Sequence, residues 1–197
     1  MPSHMPDAIR TVALVGHAGA GKTTLAEALL FKVGSISAMG SIERGTTVCD
    51  FDPLEKSTGH SLNSAAVHFS TGDVRVHLID TPGYPDLVGQ SMAALAAVET
   101  AAVVINAQNG IELSTTRMMN WAQARGLCRM IIINKIDAPD VDLPRLVAEI
   151  RDRFGKECLL LDLPVQHGEG VVEVLDRDSG EADFDSVAAA HRALIDT

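Results

Sequence analysis

Short apolar runs separated by helix-like stretches dominate the first five-sixths of the chain. Residues 9–15 (Ile-Arg-Thr-Val-Ala-Leu-Val) form a compact apolar run of the kind buried in a parallel sheet. It breaks at Gly16-His17-Ala18-Gly19-Ala20-Gly21 and resumes as Lys22-Thr23-Thr24-Leu25-Ala26-Glu27-Ala28-Leu29-Leu30, which favours helix by composition. Residues 34–59 are polar and irregular and read as a long loop, a length that usually signals function or mobility. Strands are predicted at 65–69 and 74–79, with Thr71-Gly72-Asp73 as the hairpin turn between them. The pattern then predicts a helix over 85–99, a strand at 102–107, a helix from about 114 to 125 and a strand at 129–134. A third long helix is expected over about 143–154, with a last strand near 158–163. Strands alternating with helices predict an α/β domain whose mostly parallel central sheet carries helices on both faces.

After Pro164 the texture changes. Residues 171–175 (Val-Val-Glu-Val-Leu) read as one more strand, the acidic stretch that follows as a solvated loop, and 184–196 as an amphipathic helix. Nothing in the pattern offers a surface for the Val187/Leu194 face of that helix to cover, so the chain reads as a piece of something longer. The expected division is an N-terminal remnant at 1–8, a nucleotide-binding domain at 9–165 and the start of a truncated insert at 166–197. Met1-Pro2-Ser3-His4-Met5 is similar to a cloning scar and is left out of the fold reasoning.

Three inter-element loops carry candidate chemistry. The first, Gly16-x-x-x-x-Gly21-Lys22-Thr23, lies between a strand and a helix, the context that makes this spacing a phosphate-binding loop. Its glycines let backbone N–H groups converge on phosphate oxygens at the positive end of the following helix. Gly16, His17, Ala18, Gly19, Ala20, Gly21, Lys22, Thr23 and Thr24 are the expected phosphate-facing set, with Lys22 on the β and γ phosphates and the Thr23 hydroxyl on Mg²⁺. Such a loop opening a mostly parallel α/β sheet is the P-loop NTPase arrangement. In the second loop, Asp80-Thr81-Pro82-Gly83, the Asp80 carboxylate leaves a strand where it can hold Mg²⁺, and the Gly83 N–H can meet a γ-phosphate. The third is Asn134-Lys135-Ile136-Asp137. Asp137 can accept from guanine N1–H and the 2-amino group, a donor pair adenine lacks; Asn134 would meet the other base edge and the Lys135 stem would lie over the ring. In this order the loops predict GTP and GDP, with Mg²⁺, rather than ATP.

Taken together they resemble the P-loop GTPases, and residues 43–61 (Glu-Arg-Gly-Thr-Thr-Val-Cys-Asp-Phe-Asp-Pro-Leu-Glu-Lys-Ser-Thr-Gly-His-Ser) resemble the first switch of translational GTPases of the elongation factor G group. The resemblance covers about 10–165, with the tail similar to the start of the insert that this group carries, and within the group it points to the divergent elongation-factor-G-like paralogues of bacteria. It implies a multidomain GTPase acting on the ribosome in the cytoplasm, and it implies that Ser61 takes the place of the switch threonine whose hydroxyl ligates Mg²⁺. Lys22, Gly83 and Tyr84 fall at the expected catalytic positions, with one departure: the group's pattern follows Asp-Thr-Pro-Gly with a histidine that positions the attacking water, and here that residue is Tyr84. A phenol, with an ordinary pKa near 10, is a poor acid or base at neutral pH, so slow hydrolysis is expected. Gly19 replaces an aspartate usual in the phosphate loop, and the remaining guanine-contact motif, typically Ser-Ala, would lie beyond Thr197. Two further readings stay open: a GTP/GDP-sensing switch with little turnover, and a ribosome-protection or release-factor-like GTPase.

Composition narrows the partners. The formal net charge of −10 repels nucleic-acid phosphates, so no DNA partner is expected, and any RNA contact would need a local patch or other parts of the protein. Apolar runs reach only about seven residues, and no membrane partner is expected. Cys49, Cys128 and Cys158 are unpaired in pattern and read as reduced thiols. His17 reads as a spacer whose backbone N–H matters, and His60, His68 and His77 as loop and strand positions. Met118, Met119 and Trp121 read as core, and the acidic residues 176–185 lack the order of a Ca²⁺ loop.

Overall fold

The computed structural model describes residues 6–196; the scar-like residues 1–5 lie outside the described residues. The chain forms a five-stranded sheet in the order β2-β3-β1-β4-β5 and a separate two-stranded sheet. In the first, β1 (Ile9–Val15) lies between β3 (Val74–Asp80) and β4 (Thr100–Asn106) and is parallel to both, while β2 (Ala65–Thr71) returns antiparallel along β3. β5 (Cys128–Asn134) completes the order. The mostly parallel α/β arrangement expected from the alternation is what forms. β4 is buried at every position from Ala101 to Asn106, which explains why its sequence, Ala-Ala-Val-Val-Ile-Asn, shows no polar alternation.

By internal contacts the chain divides into two units. One runs to Ile105 and includes Glu112–Ile132; the other comprises Asn106–Ile111 and the residues from Ile133. In the first unit, α1 (Lys22–Lys32) leaves the loop after β1, α3 (Val88–Leu95) follows β3, and α4 (Leu113–Ala124) precedes β5. Leu14, Ala26, Leu30, Phe69, Leu78, Ala102 and Val104 form a core cluster there. Met118 and Met119 are buried, as their helical spacing predicted.

The long polar segment is more structured than its composition suggests. It contains α2 (Pro53–Thr58), opened by a capping box in which Asp52 accepts from the helix backbone and the Glu55 carboxylate takes the Asp52 N–H. Two buried carboxylates serve as its anchors. Glu27, from α1, accepts from the backbone N–H groups of Gly40 and Val48. Glu55 accepts from Leu62 and Asn63 at 2.8 and 2.9 Å as well as from Asp52. Irregular backbone has no ladder to satisfy its N–H groups, and these two side chains supply the acceptors instead.

In the second unit, α5 (Leu143–Phe154) is capped by Asp142, whose side chain accepts from the Arg145 N–H. The strand expected at 158–163 does not join the large sheet. It is shifted to β6 (Asp162–Val165) and pairs antiparallel with β7 (Gly170–Glu173). The local chain explains the shift: Cys158 and Leu159 are drawn into turn bonds to Gly155 and Glu157, and Gln166, His167 and Gly168 all take left-handed φ values that reverse the chain. The face of the last helix is also accounted for. α6 (Val187–Ile195) lays Val187 and Ala190 into a cluster with Leu163, Val172 and Val174, against which Leu194 packs.

Glu55 tests the anchoring of the long segment. Burial pushes its carboxyl up, but N–H donors from Asn63, Asp52 and Leu62 outweigh that and hold it below the ordinary value. Glu55→Ala leaves three backbone donors unanswered and is expected to cost about 2–4 kcal/mol in urea denaturation at pH 7. A depressed carboxylate contributes its stability above the unfolded pKa and loses it as pH falls through the folded value, so the gap between wild type and variant should shrink below about pH 4. A variant as stable as wild type at pH 7 would show that the anchor is dispensable.

Candidate functional site

The loop from Gly16 to Thr24 connects the buried end of β1 to α1. Gly16 has φ 141°, and a Cβ built on it would lie 2.3 Å from the Val104 carbonyl oxygen, so no other residue fits where the loop crosses β4. Gly21, in the left-handed region at φ 91°, caps α1 without any side-chain hydrogen bond. The first-turn N–H groups of this 11-residue helix therefore point out of a turn that supplies no anionic cap of its own. Ala20 packs into the core, and Thr24 is exposed. Lys22 curls back over the loop, with Nζ donating to the carbonyls of Gly16 and His17 at 3.0 and 2.9 Å. Burial lowers its ammonium to about 8, an effect that Asp80 opposes. A primary amine held by carbonyls where phosphates are expected is a cation ready to exchange partners.

Beneath it lies a cluster of oxygens. The Thr23 hydroxyl donates to Asp80 Oδ2 at 2.6 Å and sits 3.2 Å from Ser61 Oγ. Ser61 donates to Asp50 Oδ1 at 2.7 Å, and Thr47 donates to the other Asp50 oxygen at 2.9 Å. The three residues expected to hold Mg²⁺ (Thr23, Ser61 and Asp80) are thus within one hydrogen-bonded group, although Thr23 and Ser61 are separated by 38 positions. Asp80 is 2% exposed, and its Oδ1 is buried with no hydrogen-bond partner among the described residues. Burial pushes its carboxyl up to about 6 against the pull of the Thr23 hydroxyl and Lys22, with Asp50 adding to the rise. A buried carboxylate oxygen without a donor, on a carboxylate whose other oxygen is bonded to Thr23 and through it to Ser61, belongs to a donor set suited to a hard divalent cation. The residues present fit Mg²⁺. Asp50 escaped the sequence reading because an aspartate in a polar loop carries no signal until the fold sets it behind Ser61.

The loop after β3 is fixed to the same region. The Thr81 hydroxyl donates to the Leu14 carbonyl at 2.7 Å, and Ser91 of α3 donates to Thr81. Gly83 lies hard against the phosphate loop, since a Cβ there would come 2.5 Å from Ala18 N and 2.6 Å from the His17 carbonyl carbon. His17 has more than a spacer's place: its buried ring presents Nδ1 to Glu112 Oε1 at 2.9 Å. Tyr84, 39% exposed, meets His60, with Oη 3.0 Å from Nε2 and the ring centroids 4.9 Å apart in an edge contact. Cys49 is buried nearby. Burial, followed by Asp80, Glu27, Asp50 and Glu55, pushes its thiol well up, which keeps it protonated and unreactive.

Asn134, Lys135 and Asp137 belong to the second unit. The Asn134 carbonyl accepts from the Ala107 N–H at 2.9 Å, Lys135 takes a left-handed φ of 59°, and Lys135 and Asp137 are exposed. The turn between β6 and β7 backs this loop. A Cβ on Gly168 would approach the Ile136 carbonyl oxygen to 2.7 Å, a support that sequence reading did not anticipate.

Residues 7–191 match the family described as Elongation factor Tu GTP binding domain. The chain belongs to that family. Among curated relatives of this GTP-binding domain, mitochondrial ribosome-releasing factor 2 of Drosophila melanogaster is 36% identical over 168 residues, covering 85% of this chain and 23% of the relative. An elongation factor G-like protein of Mycobacterium tuberculosis is 35% identical over 204 residues, 97% of this chain and 28% of that one. A solved protein from Thermus thermophilus superposes with a TM-score of 0.84 at 33% identity over 96% of this chain and 31% of that one. The bacterial selenocysteine-specific elongation factor EF-Sec, at 22% identity and a TM-score of 0.55 over 73% of this chain and 22% of that one, shares the fold. The chain spans about a quarter of the length of the curated relatives it matches.

In this GTP-binding domain the Asp80 oxygen has a measurable cost. A carboxyl raised above its ordinary value contributes stability that is full below about pH 4 and lost as pH rises through about 6. Without nucleotide or Mg²⁺, wild type should therefore lose about 1–3 kcal/mol relative to Asp80→Asn between pH 4 and pH 8. Urea midpoints across that range give the difference, and parallel curves for the two proteins would refute the assignment.

Proposed function

We propose that this domain binds GTP and GDP with Mg²⁺, hydrolyses GTP slowly, and does so in the cytoplasm as the front part of a longer elongation-factor-G-like protein acting on the ribosome. The observation that carries the reading is the unanswered oxygen of Asp80, whose other oxygen is bonded to Thr23 and through it to Ser61, together with a buried lysine and an uncapped helix start. In this reading Lys22 leaves its two carbonyls for the β and γ phosphates, and the backbone from Gly16 to Thr24 cradles them. Thr23, Ser61 and Asp80 hold Mg²⁺, which when bound neutralises charge on the phosphate oxygens. The Gly83 N–H senses the γ-phosphate, and Tyr84 orients water without readily carrying charge. Asn134 and Asp137 select guanine, with Lys135 over its ring.

The names of the relatives support the ribosome as partner, since they include an elongation factor G-like protein and a ribosome-releasing factor. A tetracycline resistance protein, TetO of Campylobacter jejuni, is 31% identical over 95% of this chain, which keeps a ribosome-protection role in view. Tyr84 favours a second reading, a nucleotide-sensing switch with little turnover.

Calorimetry on the intact protein should give tighter binding of GDP than of ADP, and Asp137→Asn should erase most of that preference, a loss of roughly a hundredfold or more. Equal affinities in wild type would end the guanine reading. Single-turnover hydrolysis with ribosomes should rise roughly tenfold or more in Tyr84→His. A wild type already as fast as that variant would remove the idea of a weakened catalyst.

A further inference from the structure

His60 and Tyr84 come from segments 24 residues apart, each next to a residue of the proposed site: His60 precedes Ser61 and Tyr84 follows Gly83. Both are held from behind. The His60 N–H donates to the Glu55 carbonyl, which also takes the N–H of Gly59 at φ 68°, and the Glu55 carboxylate fixes Leu62 and Asn63 on the far side. Tyr84 caps the short 3-10 turn Pro85–Leu87, its carbonyl accepting from the Leu87 N–H at 3.0 Å. The 3.0 Å contact between Oη and Nε2 spans the gap between these two held backbones.

A phenol has one proton and two acceptor lone pairs, and where the proton goes decides what the oxygen offers elsewhere. We infer that His60 is a positioning residue for GTP hydrolysis: with Nε2 accepting the Tyr84 O–H, the phenolic oxygen is left to accept a hydrogen bond from the attacking water. No proton leaves the phenol in this arrangement. The water is oriented, and its oxygen bonds to the γ-phosphorus as the bond from that phosphorus to the bridging oxygen breaks. GDP leaves with the electron pair, and the water's proton goes to the phosphate oxygens. The inference rests on the hydrolysis reading above. It separates Tyr84 from an inert replacement, because a phenol turned the other way would donate to the water and compete for its attacking lone pair. It also explains why an exposed tyrosine stands in edge contact with an exposed imidazole.

The intact protein tests it through His60→Ala, His60→Gln, Tyr84→Phe and the double variant His60→Ala/Tyr84→Phe. His60→Ala and Tyr84→Phe should each lower kcat about tenfold with KM for GTP unchanged. The double variant should be no slower than Tyr84→Phe alone, and His60→Gln, whose amide oxygen can accept, should recover most of the rate. Multiplicative losses, or an effect confined to KM, would overturn the inference. A second readout does not depend on turnover: Tyr84 is the one tyrosine of these 197 residues, so in ¹³C-tyrosine-labelled intact protein the ring signal that Tyr84→Phe removes is its own, and that signal should move in His60→Ala. An unmoved signal in a protein that hydrolyses GTP overturns the positioning role alone. A signal that moves in a protein binding GTP without turnover overturns the hydrolysis reading and the inference with it.

Discussion

The hydrogen bond from Thr23 to Asp80 joins the start of α1 to the end of β3, and the candidate phosphate and metal site is arranged around it. It exists because β1 and β3 run parallel in a register that pairs Leu14 with Asp80, bringing the ends of both strands to the same edge of the sheet. At that edge the buried carboxylate keeps one oxygen bonded and the other without a donor. The chain just beyond it is held in place, since the Thr81 hydroxyl donates to the Leu14 carbonyl and Ser91 donates to Thr81. Stability spent here is what a cation site needs: oxygens already gathered, one of them still unsatisfied.

Carboxylates also organise the long segment between α1 and β2, though in the opposite sense. Glu27 and Glu55 are buried and surrounded by backbone N–H groups, so their charge is answered, and irregular chain acquires fixed geometry. Asp50 stands between these roles, taking hydroxyls from Thr47 and Ser61 and so orienting the Ser61 oxygen toward Thr23. A chain of net charge −10 thus buries part of its negative charge in structural work, while its exposed acids face solvent.

The second unit is built on local pairing. A four-residue reversal between β6 and β7 makes a hairpin, and the apolar face of α6 closes over it. The same turn sends Gly168 against the backbone of Ile136 and Asp137, so that a feature unrelated to nucleotide chemistry braces the loop proposed to read the base. Positive φ at Gln166 and His167, neither of them glycine, marks the strain taken up by that reversal.

The sequence by itself determined the alternation of strands and helices, the phosphate loop and the order of the three loops, because each is written in local spacing. Glycines at fixed offsets, apolar runs and an acidic residue leaving a strand are properties of neighbours along the chain. Only the tertiary structure decided that Asp50 stands behind Ser61, that His17 meets Glu112, that His60 meets Tyr84 and that the strand near residue 160 pairs with its own successor. Each of those depends on groups brought together by the sheet register or by a turn with left-handed backbone. A histidine or aspartate in a polar stretch has no periodicity to reveal its partner, so its role becomes legible only when the distance is known.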